Sequence, residues 1–400
     1  MASRHLVRLL PSLMLLTLLL ACGGNSNTSS NNSGSTTTPT PGSSNTGGGS
    51  GSGGGSSSSA EYVYAVSQAA NDQSTFTLYK LDSTSGALTK VSSATIPVRA
   101  ANQILADSMG LNAYVIGFEA PSPNMDLVKV TPSSGTISPF PGQTFQSVTQ
   151  NEGNCCPSAL AIDSSGQNTY VGGLNDGYVH FYAVDKSSGV WTEKATYRQN
   201  GAGGEVYALA LTPAGNFLYT SQRSASVVSG FARAADGSLT PIPGSPFNTS
   251  GLTSTVSVSP DGKYLFVPHY ELSSVDIYKI NSDGTLTLTQ ANLAAGNAAY
   301  YAITDPQERF LYVANSGAYN GGPTTINAYK FDSGTGQATA ISGGTYNVKQ
   351  AQLLRIDPSG KFLYVPAAPV EAFSIDQSTG ALTPLGGSFP SEGNLAIVKP

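Results

Sequence analysis

Charge is scarce in this chain: Lys, Arg, Asp and Glu together make up 11% of its 400 residues. So few cations leave no basic surface for a polyanion, and a net charge of −5 makes nucleic acid an unfavourable partner. Histidine and cysteine are rare, three of each, and tryptophan occurs once. The sequence has no Cys/His cluster at zinc spacing, no acidic loop of the calcium pattern and no Gly-rich loop with the Lys and Ser/Thr of a phosphate cradle. No metal and no cofactor is therefore expected. No apolar run is long enough to span a bilayer as a helix, and no long stretch sets apolar residues at helical spacing against a charged face. What the chain has in quantity is Gly (45), Pro (24) and Tyr (20), with abundant Ser and Thr. That composition suits many short strands and tight turns.

The first 60 residues differ from the rest. Arg4, His5 and Arg8 precede an apolar run from Leu9 to Ala21, roughly the length of a signal-peptide core and too short to cross a membrane. The run ends in Leu19-Leu20-Ala21-Cys22-Gly23, which resembles the lipobox of bacterial lipoproteins. The resemblance implies a signal peptide over residues 1–21 and lipidation at Cys22. Losing Arg4 and Arg8 with that segment takes the net charge from −5 to about −7. Residues 22–60 are almost wholly Gly, Ser, Asn, Thr and Pro, so they read as a disordered tether with a root-mean-square reach of roughly 35 Å. Membrane attachment is expected through this lipid anchor only, at the cell envelope, with the folded part periplasmic or surface-exposed.

From residue 61 onward one pattern recurs: an apolar strand, a turn rich in Asp, Pro and Gly, then a strand ending in aromatic-Val. Two clear copies are Ser259-Pro260-Asp261-Gly262-Lys263-Tyr264-Leu265-Phe266-Val267 and Asp357-Pro358-Ser359-Gly360-Lys361-Phe362-Leu363-Tyr364-Val365. The second-strand aromatic falls at Tyr64, Tyr114, Tyr170, Tyr219, Phe266, Tyr312 and Tyr364, at intervals of 46 to 56 residues. A third strand carries Tyr79, Val128, Tyr182, Phe231, Tyr278, Tyr329 or Phe373, and a Gly-containing turn leads to a short fourth strand. The fold expected for residues 61–400 is all-β: a seven-bladed β-propeller of four-stranded antiparallel blades. The chain enters at a second strand, and Asn394-Leu395-Ala396-Ile397-Val398 has the character of a first strand. Blade one should thus be closed by the C-terminal strand, which removes exposed sheet edges. The domain is expected to be monomeric, and the periodic aromatics read as packing.

These repeats resemble the seven-bladed lactonase-like propellers, a family that includes 6-phosphogluconolactonase-type and muconate-cyclising enzymes. They also resemble the bacterial repeats named for a Tyr-Val-Thr-Asn motif, which is nearest here as Tyr312-Val313-Ala314-Asn315. The resemblance implies Arg, His and Glu around one mouth of the central channel. In a propeller the starts of first strands and the loops after second strands share that mouth. This chain offers Gln103, Cys155, Cys156, Glu205, Thr253, Tyr300, Gln352 and Asn394 at the former, and Arg223, His269, Tyr270 and Glu271 at the latter. Glu205, Arg223 and His269 form the candidate catalytic set for opening a lactone, which needs a base for water and a cation or N–H donors for the oxyanion. The sequence shows no Arg-His pair leading into a first strand, and the mouth displays essentially one cation. His180, in a third strand, reads as structural.

Cys155-Cys156 precedes the first strand of blade three, and outside the cytoplasm such neighbours are candidates for a vicinal disulfide. The pair is read as a staple that stiffens the turn, as a flat apolar platform for a ligand ring, or as a redox group. Two functions stay open. The first is a binding scaffold that offers its loop face to a glycan or protein partner. The second is a lactone hydrolase or cycloisomerase with its site at the channel mouth.

Overall fold

In six of the seven repeats the turn between the first two strands is set by local chemistry. A backbone N–H donates to the carbonyl three residues earlier, as in Gly110 to Asp107 and Gly360 to Asp357, both 2.9 Å. Where the turn opens with Asp, its carboxylate collects the N–H groups that follow: Asp357 Oδ1 accepts from Phe362 at 2.6 Å, and Asp305 Oδ1 from Arg309 and Phe310. Each turn returns the chain antiparallel to itself, and repetition builds a sheet of four strands.

The computed structural model describes residues 60–68, 73–117, 124–144, 157–199, 204–317, 321–386, 389 and 393–398. The chain divides into Met1–Ser56 and Ser57–Pro400. The leader, Cys22 and nearly all of the tether lie outside the described residues, as do Cys155 and Cys156. Within the second unit the described residues form seven antiparallel sheets and no helix. From inner to outer strand, blade three runs Pro157–Ile162, Asn168–Gly173, Tyr178–Asp185 and Val190–Arg198. Blade four runs Ala208–Leu211, Phe217–Ser221, Val227–Arg233 and Leu239–Pro241. Blade five has only Ser257–Val258 as its inner strand, followed by Tyr264–His269, Ser274–Ile280 and Leu286–Ala294. Blade six runs Ala299–Thr304, Phe310–Asn315, Thr325–Asp332 and Gln337–Asn347.

Blade one closes as the sequence implies. Asn394–Val398 pairs antiparallel with Glu61–Gln68, placing Ala396 opposite Tyr64. In blades two and four the outer strand differs from the expected single piece. Thr136–Pro139 is followed by Gln143–Thr144, and Leu239–Pro241 by Phe247–Asn248, with both pieces of each pair bonded to the same third strand. Pro139 and Pro141, and likewise Pro241, Pro243 and Pro246, cannot donate to the ladder and interrupt it.

The core consists of the seven interfaces between blades. The second-strand aromatics Tyr64, Tyr114, Tyr170, Tyr219, Phe266, Tyr312 and Tyr364 are all fully buried. Each tyrosine also reaches a turn of the next blade. Tyr170 Oη donates to Gly237 O at 2.6 Å, Tyr219 to Gly284 O at 2.7 Å, Tyr312 to Gly380 O at 2.9 Å and Tyr364 to Gly86 O at 2.8 Å. Tyr64 and Tyr114 bond Gly110 O and Gly166 O in the same way. In blade five, where the aromatic is Phe266, Tyr264 takes over and donates to Ser333 O at 2.9 Å. The receiving turn requires glycine on two counts at Gly237. Its φ is +89°, and a Cβ there would run into the Phe181 ring.

Candidate functional site

Inner strands run from one mouth of the ring to the other, so their starts and the loops after second strands gather at one mouth. The inner strands are edges whose polar groups face the channel, and neighbouring side chains satisfy part of that edge. Arg355 Nε donates to Leu395 O at 2.8 Å, Gln103 Nε2 to Ser158 O at 2.7 Å and Ser254 Oγ to Ala299 O at 2.7 Å. Asn394 bonds Asn102 O, Ser158 bonds Val206 O, and Ser221 Oγ donates to Ser254 O at 3.2 Å. Polar residues at these positions thus tie each blade to the next around most of the ring.

On this frame blades four, five and six place one cluster. Arg223 lies in the loop after Phe217–Ser221, and its guanidinium carbon sits 5.4 Å from the Tyr207 ring centroid and 5.2 Å from that of Tyr270. Both distances are cation–π range. Tyr207 immediately precedes the inner strand of blade four, fixed by its N–H to Ser221 O at 3.0 Å. Its hydroxyl is hydrogen-bonded to that of Tyr300 at the start of blade six, the rings meeting edge-on at 79° with centroids 6.3 Å apart. Blades four and six are not neighbours, so this pair reaches past the entry of blade five. Burial pulls Arg223 toward the neutral form, but Tyr207, Tyr300, Tyr270 and Glu205 outweigh it and hold the guanidinium charged. Burial, reinforced by Tyr207, pushes the Tyr300 hydroxyl well above its ordinary value, with Arg223 opposing. Glu205 lies in the segment leading into blade four, half-buried, its carbonyl taking a hydrogen bond from Gln199 Nε2.

The structure therefore brings Glu205 and Arg223 into one electrostatic neighbourhood. His269 is placed differently: it is fully buried, with Nε2 3.0 Å from Asp276 Oδ2. Asp276 accepts hydrogen bonds from the Ser250 N–H and Oγ–H and from the Asn292 N–H, each at 2.9 Å, and from Tyr278 Oη at 3.2 Å. Burial raises the Asp276 carboxyl, but His269 and these N–H donors outweigh it and hold the group at about 2. Side chains alternate along a strand end, so while His269 turns into blade five, Tyr270 turns toward Arg223. His180 is also fully buried, its ring nitrogens 2.9 Å from Asp176 Oδ2 and 2.7 Å from Glu193 Oε1.

One feature of this mouth escapes a residue-by-residue reading of the sequence. Tyr207 and Tyr300 are 93 positions apart, and nothing local marks them as partners. At the opposite mouth the ends of inner strands leave two shallow cavities. The larger, about 320 Å³, is lined by Leu105, Ala106, Ser108, Arg355, Ala396 and Ile397, and holds none of the candidate set.

These sheets make the protein a seven-bladed β-propeller, and the chain is similar to lactonase-type propellers and to 6-phosphogluconolactonases. Residues 196–302, which carry Glu205, Tyr207, Arg223, His269, Tyr270 and Tyr300, match the family described as "Lactonase, 7-bladed beta-propeller". A 6-phosphogluconolactonase of Pectobacterium carotovorum is 24% identical over 249 residues, 58% of this chain and 70% of that protein. Among solved structures, a protein from Bacteroides uniformis aligns with a TM-score of 0.73 at 13% identity, over 85% of this chain and 100% of its own. The periplasmic gluconolactonase PpgL of Pseudomonas aeruginosa aligns with a TM-score of 0.67 at 16% identity, over 86% of this chain and 100% of its own.

Proposed function

We propose that the protein opens a sugar lactone by adding water at the mouth formed by blades four to six. The observation that carries this reading is Arg223, held between Tyr207 and Tyr270 and kept charged in part by Glu205, within the segment that matches the lactonase family. Opening a lactone passes through a tetrahedral oxyanion, and a guanidinium fixed by two aromatic faces is preorganised to receive that charge. Glu205 is the carboxylate available to take a proton from the attacking water. His269, locked against Asp276 inside blade five, supports the mouth without meeting substrate. The similarity to a 6-phosphogluconolactonase and the fold shared with a periplasmic gluconolactonase weigh toward this reading over a scaffold that only binds a glycan or protein.

The test compares the purified full chain with Arg223→Leu on a panel of aldonolactones, following acid release. Losing one oxyanion donor is expected to lower kcat by about 10²-fold or more. Wild-type rates no faster than buffer would overturn hydrolysis, and a glycan array or pull-down would then be the measurement for the scaffold.

We also propose export and acylation at Cys22, on the basic start, apolar run and Leu19-Leu20-Ala21-Cys22-Gly23 ending. Among the described residues no helix is long and apolar enough to cross a membrane, and the lipid would be the attachment.

A further inference from the structure

Resting on the lactonase reading, we propose that Tyr300, backed by Tyr207, donates the proton to the ring oxygen that leaves as the lactone opens. The backbone points to Tyr300 first. Ala299 pairs with Asn315 and Tyr301 with Ala314, which leaves Tyr300 as the extra residue of a bulge at the entry of blade six. Bulges re-aim a side chain and recur beside active sites.

The chain just before the bulge is held in an unusual conformation. Ala298 has a φ of +56° and Ser273, in the loop after the second strand of blade five, has +51°. The Ala298 N–H donates to Ser273 Oγ at 3.2 Å, and the Ala298 carbonyl accepts the Ser316 N–H at 3.0 Å. Two left-handed residues that are not glycine thus brace each other from neighbouring blades, two and three positions from Tyr300 and Tyr270. Such conformations persist where the surroundings over-determine them, and they gather at sites where a side chain must be placed. Thr255 Oγ1 bonds the Tyr300 carbonyl and completes the fixing of this residue.

The chemistry follows from what the fixed side chain meets. When Tyr207 donates within the Tyr207–Tyr300 pair, the Tyr300 O–H is left to donate to a substrate oxygen. A phenolate formed at Tyr300 would keep the hydrogen bond from Tyr207 and feel the charge of Arg223. The sugar alkoxide is a poor leaving group and needs such a donor. Glu205 removes a proton from water as the water oxygen bonds to the acyl carbon. The tetrahedral intermediate then breaks its bond to the ring oxygen, which takes the electron pair and the Tyr300 proton. The proton on Glu205 returns through solvent to Tyr300. The net change is one water added and a hydroxy acid that ionises.

The experiment measures kcat for wild type and Tyr300→Phe on two δ-lactones, glucono-1,5-lactone and dihydrocoumarin. The first releases an alkoxide, the second a phenoxide that needs no donor. A loss of about 10²-fold or more on the alkyl lactone, with little change on the aryl one, is the expected result. An equal loss on both, or none, would overturn the role of Tyr300 and leave the lactonase reading standing. A wild type inert on both would remove that reading and the proposal with it. Should Tyr300→Phe fail to fold, Tyr207→Phe must show the same alkyl-over-aryl bias in weaker form, and its absence would count against the proposal.

Discussion

At one place in every blade a polar residue faces the third-strand side of the position after the second-strand aromatic. The seven are Thr77, Asp126, His180, Ser229, Asp276, Asn327 and Glu371. Several are visibly satisfied: Asn327 by Asn315 at 2.8 Å and Thr345 at 2.9 Å, and Glu371 by the Lys349 N–H at 2.7 Å. Asp126 differs. It is 1% exposed, and among the described residues its carboxyl oxygens have only the Leu127 N–H close by and no hydrogen bond of good geometry. Burial pushes its pKa up to about 8. The folded state therefore keeps a proton that the unfolded chain releases between pH 4 and 8, so stability falls as pH rises through that window. Asp126→Asn removes the penalty. It is expected to raise stability by about 1–3 kcal/mol at pH 8 and by much less at pH 4, read from thermal unfolding at both pH values. A destabilisation of equal size at both would refute the burial argument. The candidate site shows the same limit at this scale: sequence put His269 at the correct strand end but could not say that it turns inward and Tyr270 outward.

Among elements, the closing strand and the tyrosine latches do complementary work. The repeat made the second-strand aromatics legible as packing residues. It did not reveal that their hydroxyls bond carbonyls of the next blade, because those carbonyls lie 46 to 67 positions further along the chain in the first four blades. The last latch, Tyr364 to Gly86, spans 278 positions and crosses the seam where the chain's two ends meet. The strand Asn394–Val398 covers the same seam and buries Leu395, Ala396 and Val398. Truncation after Gly393 removes that burial and is expected to cost on the order of 4–6 kcal/mol and to promote aggregation through the bared edge of Glu61–Gln68. Chemical denaturation of the truncated chain measures this, and an unchanged midpoint would show that the seam is held by the latches alone.

For the molecule as a whole, antiparallel geometry separates the two mouths. Glu61 begins its strand opposite the end of Asn394–Val398, so the described chain enters at the mouth with the shallow cavities, away from Arg223. Cys22→Ser is expected to move the protein from the membrane fraction to the soluble extracytoplasmic fraction, measured by fractionation and immunoblot. Retention of the variant in the membrane fraction would rule out lipid attachment at this residue.

The amino-acid sequence determined the blade count, the order of strands within a blade and the seam, because strand periodicity and turn chemistry are local and repeat seven times. Only the tertiary structure decided which residues meet at the mouth. The Arg223–Tyr207–Tyr270 stack and the Tyr207–Tyr300 pair come from different blades, and no spacing rule encodes a contact made by closing a ring. The same closure decided that His269 belongs to the interior, since burial is set by what neighbouring strands bring and not by the residue itself.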